Sequence, residues 1–212
     1  MESIYFQLRN DVSIGKFLPG EHLSEKKLSE IYGMSRTKIR EVLGQLSIQG
    51  FVTIEKNRGA VVTKLSVEDI EILFNIRRYS ESYASRLFTE RPDRAVIKQL
   101  EVLHKRMQEG AVKDDLKTWI ELNDEFHKLI YSNCHSSILS DLVSYTRLRV
   151  YRYRMVATEY RFINLYNQHH ALILSAIRKR QPDLVEKLML DHTDTAKKHQ
   201  IERLQGFSPL VY

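Results

Sequence analysis

The stretch "LPGEHLSEKKLSEIYGMSRTKIREVLGQLSIQGFVTIEKNRGAVV", residues 18–62, changes its hydrophobic period once, and that change decides the fold of the first third of the chain. Up to Gly50 the apolar residues recur at three- and four-residue spacing, which gathers them on one face of a helix. Leu28, Ile31 and Tyr32 follow Ser24, a side chain suited to capping a helix N-terminus, and Gly33 stops the segment. Ser35 opens a second helix with Ile39, Val42, Leu43 and Leu46 inward, and Gly50 ends it. Beyond that point "FVTIEKNRGAVVTKL" reads as two β-rich pieces around a turn at Lys56 to Gly59, which predicts a small hairpin. Upstream, Ile4, Leu8 and Val12 mark an earlier helix that Gly15, Pro19 and Gly20 bring to a close. Helix, helix, tight turn, helix, hairpin is the order of a winged helix-turn-helix.

In such a module the third helix enters the major groove and the hairpin reaches the backbone or minor groove. The segment "SRTKIR", residues 35–40, has the matching chemistry. Ser35 and Thr37 can bond phosphate oxygens, while Arg36 and Arg40, four apart on one face, can fork onto guanine edges or phosphates. Residues 1–64 hold 10 Lys and Arg against 7 Asp and Glu. Charge alone would describe an ordinary solvated helix face, but the order of elements favours nucleic acid. The residues Pro19-Gly20, Leu23-Ser24-Glu25, Leu28, Ser35-Arg36, Arg40-Glu41, Leu46, Gly50 and Arg58-Gly59 resemble, nearly without gaps over residues 1–63, the DNA-binding domain of the GntR family of bacterial transcription regulators. The resemblance implies base and phosphate contacts at Lys26, Ser35, Arg36, Thr37, Lys38 and Arg40. It also implies backbone or minor-groove contacts by Asn57, Arg58 and Gly59. Arginine is common in the family where Lys26 stands here, and lysine lacks its bidentate fork.

The 212 residues leave room for a second, medium-sized module. A hydrophobic content of 42% with 28% charged residues argues against disorder, and only 8 Gly and 4 Pro predict long helices. The net charge of +6 allows a polyanionic partner. No run approaches the roughly 18 apolar residues of a membrane span, and "MESIYFQLRN" lacks the pattern of a secretory signal. The single cysteine, Cys134, excludes an intramolecular disulfide and fits a reducing cytosol. A cytoplasmic protein without a membrane partner is expected.

From Ser66 the pattern is helical almost to the end. "SVEDIEILFNIRRYSESYASRLF" is capped by Ser66, with Glu68 and Asp69 in its first turn, and "RPDRAVIKQLEVLHKRMQEG" has Pro92 in its first turn and Gly110 at its close. Four more helices are predicted over about residues 113–132, 136–157, 162–179 and 182–204. The last opens with Pro182 and Asp183. Six such helices make an antiparallel bundle. The expected fold is mostly α: a winged helix-turn-helix over 1–65, an all-α bundle for effector binding and dimerisation over 66–206, and an irregular tail at 207–212. "FNIRRYSES" with Arg77 and Glu81, "NDEFHKLIYSNCHSSIL", "HHALILSAI" and "LMLDH" resemble the FCD effector domain of the FadR subfamily. Six helices rather than seven resemble its shorter, VanR-like branch.

That resemblance gives the histidines a meaning. At 100° per residue Asn123 sits about 40° from His127 and Asp124 about 60° to the other side, so either can share its face. His170 aligns with Ile173, Leu174 and Ile177, and His192 follows Leu188 and Val185 at helical spacing. A lone histidine on an apolar face is usually a satisfied core residue, but three at the family's positions, with one oxygen donor, suit a divalent transition metal: zinc, nickel or manganese. The expected ligands are Asn123, His127, His170 and His192. Asn123 stands where the family often has aspartate, and bringing Asp124 in would turn Phe126 out of the core. His169 is one residue off the face, and His104, His135 and His199 have no evident partner.

The metal in this subfamily helps hold a small carboxylate effector, for which Arg77 is the expected anchor; Arg147 or Arg149 in "YTRLRVYRYR" are further candidates unless that stripe is a solvated face or an interface. The resemblance thus implies a homodimeric regulator, a repressor by default, on a pseudo-palindromic DNA operator. The alternative is a mononuclear metalloenzyme with a DNA-docking module, which would need an open coordination position and a positioned acid or base. Asp124 and Glu125 are close enough, but no second group marks either as a catalyst.

Overall fold

The computed structural model describes residues 3–56, 59–112 and 115–206, so the wing-tip residues Asn57 and Arg58 and the expected tail at 207–212 lie outside it. The N-terminal part runs α1 (Ile4–Ser13), β1 (His22–Leu23), α2 (Glu25–Tyr32), α3 (Arg36–Ile48), β2 (Val52–Glu55) and β3 (Gly59–Val62). Local chemistry sets these boundaries. The Ser24 hydroxyl accepts from the Lys27 amide at the start of α2, the Ser35 hydroxyl accepts from Lys38 at the start of α3, and Gly33 closes α2 in the left-handed conformation. Leu8, Val12, Leu28, Ile39, Leu46 and Val62 fill the core beneath these elements.

The hairpin gains a third strand that the sequence reading did not include. β1 pairs antiparallel with β3, giving the order β1-β3-β2 with His22 opposite Val61 and Thr53 opposite the same residue from the other side. A two-residue strand with one side chain inward is too short to show a period of two.

Six α-helices follow among the described residues: α4 (Val67–Glu90), α5 (Arg94–Val112), α6 (Leu116–Ser132), α7 (Ser137–Ala157), α8 (Ile163–Arg178) and α9 (Pro182–Gln205). Ser66 and Asp69 form a reciprocal capping box on α4, and Pro182 takes the first position of α9. Two expected boundaries shift. Gly110 does not end α5, which continues to Val112, and Pro92 precedes the helix, whose first turn is tied by the Asp93 carboxylate accepting from the Ala95 amide at 2.6 Å. A 3-10 turn, Tyr160–Phe162, leads into α8. The bundle closes over Phe88, Leu100, Met107, Phe126, Ile130, Ile173 and Ile177.

Where the two parts meet, Leu65, Ile70, Phe74, Val150, Tyr153 and Leu204 form a separate small core, and the Leu65 amide donates to the Tyr153 hydroxyl at 3.0 Å. On the other side Tyr145 and Leu148 of α7 pack against the core of the N-terminal part. α4 carries an exposed apolar stripe, Ile72, Ile76, Tyr79 and Tyr83, at helical spacing, and α7 beside it exposes Ile138 and Leu142. Among the described residues no helix is long and apolar enough to cross a membrane.

Candidate functional site

His127 on α6, His170 on α8 and His192 on α9 are buried and meet through their Nε2 atoms. His170 Nε2 lies 3.3 Å and His192 Nε2 3.2 Å from His127 Nε2. Tetrahedral sites with metal–nitrogen bonds of about 2.0–2.1 Å hold neighbouring donor atoms about 3.3 Å apart, so the spacing fits a shared divalent ion. Burial pushes the proton affinities of His127 and His170 well below the ordinary value, with Arg147 reinforcing it at His127 and His192 at His170, and takes His192 down to about 3. The rings are therefore neutral, the form that offers a lone pair to a metal. Nδ1 of His170 and of His192 has no hydrogen-bond partner among the described residues, and His127 Nδ1 lies 3.8 Å from Glu81 Oε2. Three inward nitrogens cannot all satisfy one another by sharing protons, whereas one cation satisfies them together.

A buried charge network surrounds this trio. Glu81 Oε1 accepts from Arg77 Nε and from Arg147 Nη1, each at 2.9 Å. Asp124 Oδ1 accepts from Arg147 Nη2 and Arg154 Nη1. Burial opposes ionisation of Glu81, but Arg77 and Arg147 outweigh it and bring its carboxyl down to about 2; burial likewise opposes ionisation of Asp124, and Arg154 and Arg147 still lower it. Burial lowers Arg77 to about 10, leaving it a cation at neutral pH, with Glu81 as its counterweight. Three guanidiniums thus face two carboxylates, one positive charge in excess, and Arg77 Nη1 is without a partner among the described residues.

Arg77, Asn123, His127, Arg154, His192 and Gln200 border a cavity of about 20 Å³. That holds a single water-sized group, so a carboxylic acid would need these side chains to open. Asn123 lines this cavity; Asp124 is turned to the two arginines and borders a different groove, against α1. Of the two further arginine candidates, Arg147 lies inside the network, while Arg149 leaves the bundle interior for the backbone of Gln49. Arg154 was not anticipated, although its seven-residue distance from Arg147 places both on one face of α7. The remaining histidines have structural partners: His104 Nε2 sits 3.0 Å from the Asn167 carbonyl oxygen, His135 Nε2 3.0 Å from that of Arg91, and His199 stacks on Phe162. His169 is half-buried at the edge of the His192 ring. Trp119, also unanticipated, donates to the Asn167 side chain at 2.9 Å and stacks beside His170.

Lys26, Ser35, Arg36, Thr37, Lys38 and Arg40 are all exposed, at the start of α2 and the first turns of α3. The Ser35 hydroxyl is engaged as the cap of α3. Arg40 forks onto Glu25, with Nε and Nη2 each 2.7 Å from a carboxylate oxygen, Arg36 reaches the same carboxylate at 3.9 Å, and Lys38 pairs with Glu41. Such exposed pairs contribute little in water, so these side chains are oriented without being committed. Gly59 is exposed at the start of β3.

Residues 1–62 match the model of the bacterial regulatory proteins, gntR family, and residues 72–195 that of the FCD domain. The HTH-type transcriptional repressor RspR of Escherichia coli (strain K12) is 28% identical over 192 residues, covering 90% of this chain and 84% of that protein. The HTH-type transcriptional regulator YdhC of Bacillus subtilis (strain 168) is 26% identical over 207 residues, covering 95% and 89%. The solved structure of E. coli McbR/YncC superposes with a TM-score of 0.80 at 23% identity over 92% of this chain and 95% of that one, a shared fold. These families and relatives are transcriptional regulators, which sets the metalloenzyme alternative aside.

Zinc at a hundredfold excess over its dissociation constant is expected to stabilise the purified protein by about 2.7 kcal/mol, read as a rise in melting temperature that EDTA reverses. His170→Ala should abolish the rise. A metal-free wild type that neither takes up zinc nor changes its melting temperature would rule the site out.

Proposed function

The chain belongs to the GntR family of bacterial regulatory proteins with an FCD domain as its helical part; it is a DNA-binding transcriptional regulator, and we propose that its operator affinity answers to a small carboxylate held beside a divalent metal. The observation that carries this reading is the surplus positive charge around the histidine trio. His127, His170 and His192 are neutral donors and Asn123, bordering the same cavity as His127 and His192, is an uncharged amide. Glu81 and Asp124 are already shared among three arginines. A divalent ion in this setting adds charge that no free carboxylate of the site balances, so an anionic ligand completes it. Zinc, nickel or manganese on Asn123, His127, His170 and His192 would supply a Lewis-acidic centre for a carboxylate oxygen. Arg77, whose Nη1 has no partner among the described residues, is the guanidinium that orients the acid.

Six α-helices in the described bundle support a place in the FadR subfamily, in its six-helix VanR-like branch. The stripe of Ile72, Ile76, Tyr79 and Tyr83 on α4 is the surface we assign to a second copy, which gives a homodimer and a pseudo-palindromic operator. The relative RspR is a repressor, and repression is the sign assigned here. The place of action is the cytoplasm, where the operator is.

Arg36→Ala combined with Arg40→Ala should weaken specific operator binding more than tenfold in fluorescence anisotropy, at about 1–3 kcal/mol per lost base contact; full retained specificity would refute the DNA-contact assignment. Arg77→Lys, which keeps the charge that Glu81 balances but not the guanidinium fork, should keep metal content and operator binding but weaken the response to a carboxylic acid that shifts the wild type, and an unchanged dose–response would remove Arg77 from the effector site. The wild type should sediment as a dimer, and Ile76→Asp with Tyr79→Asp as a monomer; a monomeric wild type, or a variant that stays dimeric, would count against the α4 surface.

A further inference from the structure

The C-terminal end of the recognition helix is held by the bundle. Gln49 caps α3, and its carbonyl oxygen, one of the acceptors a helix leaves unpaired at that end, accepts from Arg149 Nη1 at 2.9 Å and from the Tyr145 hydroxyl at 3.2 Å. A guanidinium there also meets the negative end of the α3 dipole. The Arg149 guanidinium lies 5.6 Å from the centre of the Phe51 ring, and Phe51 meets Tyr145 edge to face at 6.2 Å. From the N-terminal side the Tyr5 hydroxyl donates to the Gln49 side chain. Gly50 makes room for this clamp: its φ is +70°, and a Cβ there would push the Arg149 guanidinium off its place on the Gln49 carbonyl.

Around the clamp the seam is open. A cavity of about 600 Å³ bounded by Phe6, Arg9, Lys128 and Tyr151 lies along it, and another of about 390 Å³ is bounded by Tyr5, Phe51 and Asp141. Two residues before Arg149, on the opposite side of α7, Arg147 bridges Glu81 and Asp124 beside His127 and Asn123.

We propose that α7 is the coupling element: Arg147 registers what occupies the bundle interior, and Arg149 with Tyr145 passes the displacement of α7 to the end of the recognition helix. The inference rests on the metal-and-carboxylate reading for its trigger, but the mechanical link is a property of the chain itself. A cation at the histidines or an anion on Arg77 changes what Glu81 and Asp124 must balance, and therefore how Arg147 is held. A packed interior answers by moving an element rather than deforming it. The open seam offers little resistance to that movement, and Arg149 and Tyr145 are positioning residues for the DNA-binding face.

The test is hydrogen exchange on the full chain, reading the amides of residues 46–51 in a mutant cycle. In the metal-free protein, Asp124→Asn removes one anchor of Arg147 and is expected to change exchange at 46–51 by about threefold or more. In an Arg149→Gln background the same substitution should leave 46–51 unchanged. Arg147→Lys serves as the perturbing variant if Asp124→Asn does not fold. An equal change in both backgrounds, or none in either, overturns the link. Zinc chloride separates the two readings. Zinc uptake that protects residues around His127, beside an additive cycle at 46–51, overturns the link and keeps the metal site. A non-additive cycle in a protein that takes up no zinc supports the link and overturns the metal reading.

Discussion

A guanidinium can be buried only where its charge is matched, and this bundle buries Arg77, Arg147 and Arg154 around Glu81 and Asp124. Removing one partner from such an arrangement typically costs about 3–5 kcal/mol, because the others are left uncompensated in a poorly polarisable interior. The five side chains come from α4, α6 and α7, and the histidines beside them from α6, α8 and α9, so five of the six bundle helices are pinned around one point. Because each guanidinium has fixed donor directions, the charges set where these helices rest, and a change in the charge they balance moves that resting position. The position of the histidine trio is therefore a result of the ion network as much as of the apolar core.

The N-terminal part answers to a different balance. Its recognition helix presents Arg36, Lys38 and Arg40 to solvent in exposed ion pairs, which water and salt weaken. Its far end is satisfied by side chains of α7. One end is available to a partner and the other is anchored to the body of the protein, so the orientation of the helix is set from the bundle side.

Much of this was legible in the sequence because it is local. Ser24, Ser35 and Ser66 mark helix starts through bonds to their own backbone neighbours and Pro182 through its fixed φ, and they do so in the structure. The histidines could be singled out because each lies on the apolar face of its own helix, whereas the angle from His127 admits both Asn123 and Asp124, and the cost of turning Phe126 out of the core favours Asn123. What escaped reading is tertiary. β1 is a strand only because β3 lies beside it. Gly110 lies within a helix although its type favours an end. Nothing in "YTRLRVYRYR" shows that Arg147 and Arg154 turn inward to acids on two other helices while Arg149 turns outward to a backbone carbonyl. Periodicity assigns faces to a helix but does not identify what stands opposite them.

The seat of Arg149 on Gly50 bears on how interchangeable the two halves of such a protein are. The DNA-binding and effector parts match separate families, as expected for modules that recombine. A foreign reading head grafted onto this bundle must present the end of its recognition helix to the same side chains of α7. A side chain at the residue after the helix cap would meet the guanidinium of the bundle's own arginine, which must then give up its seat on the Gln49 carbonyl. Compatibility between the halves thus turns in part on a glycine, a residue whose contribution is the volume it leaves empty.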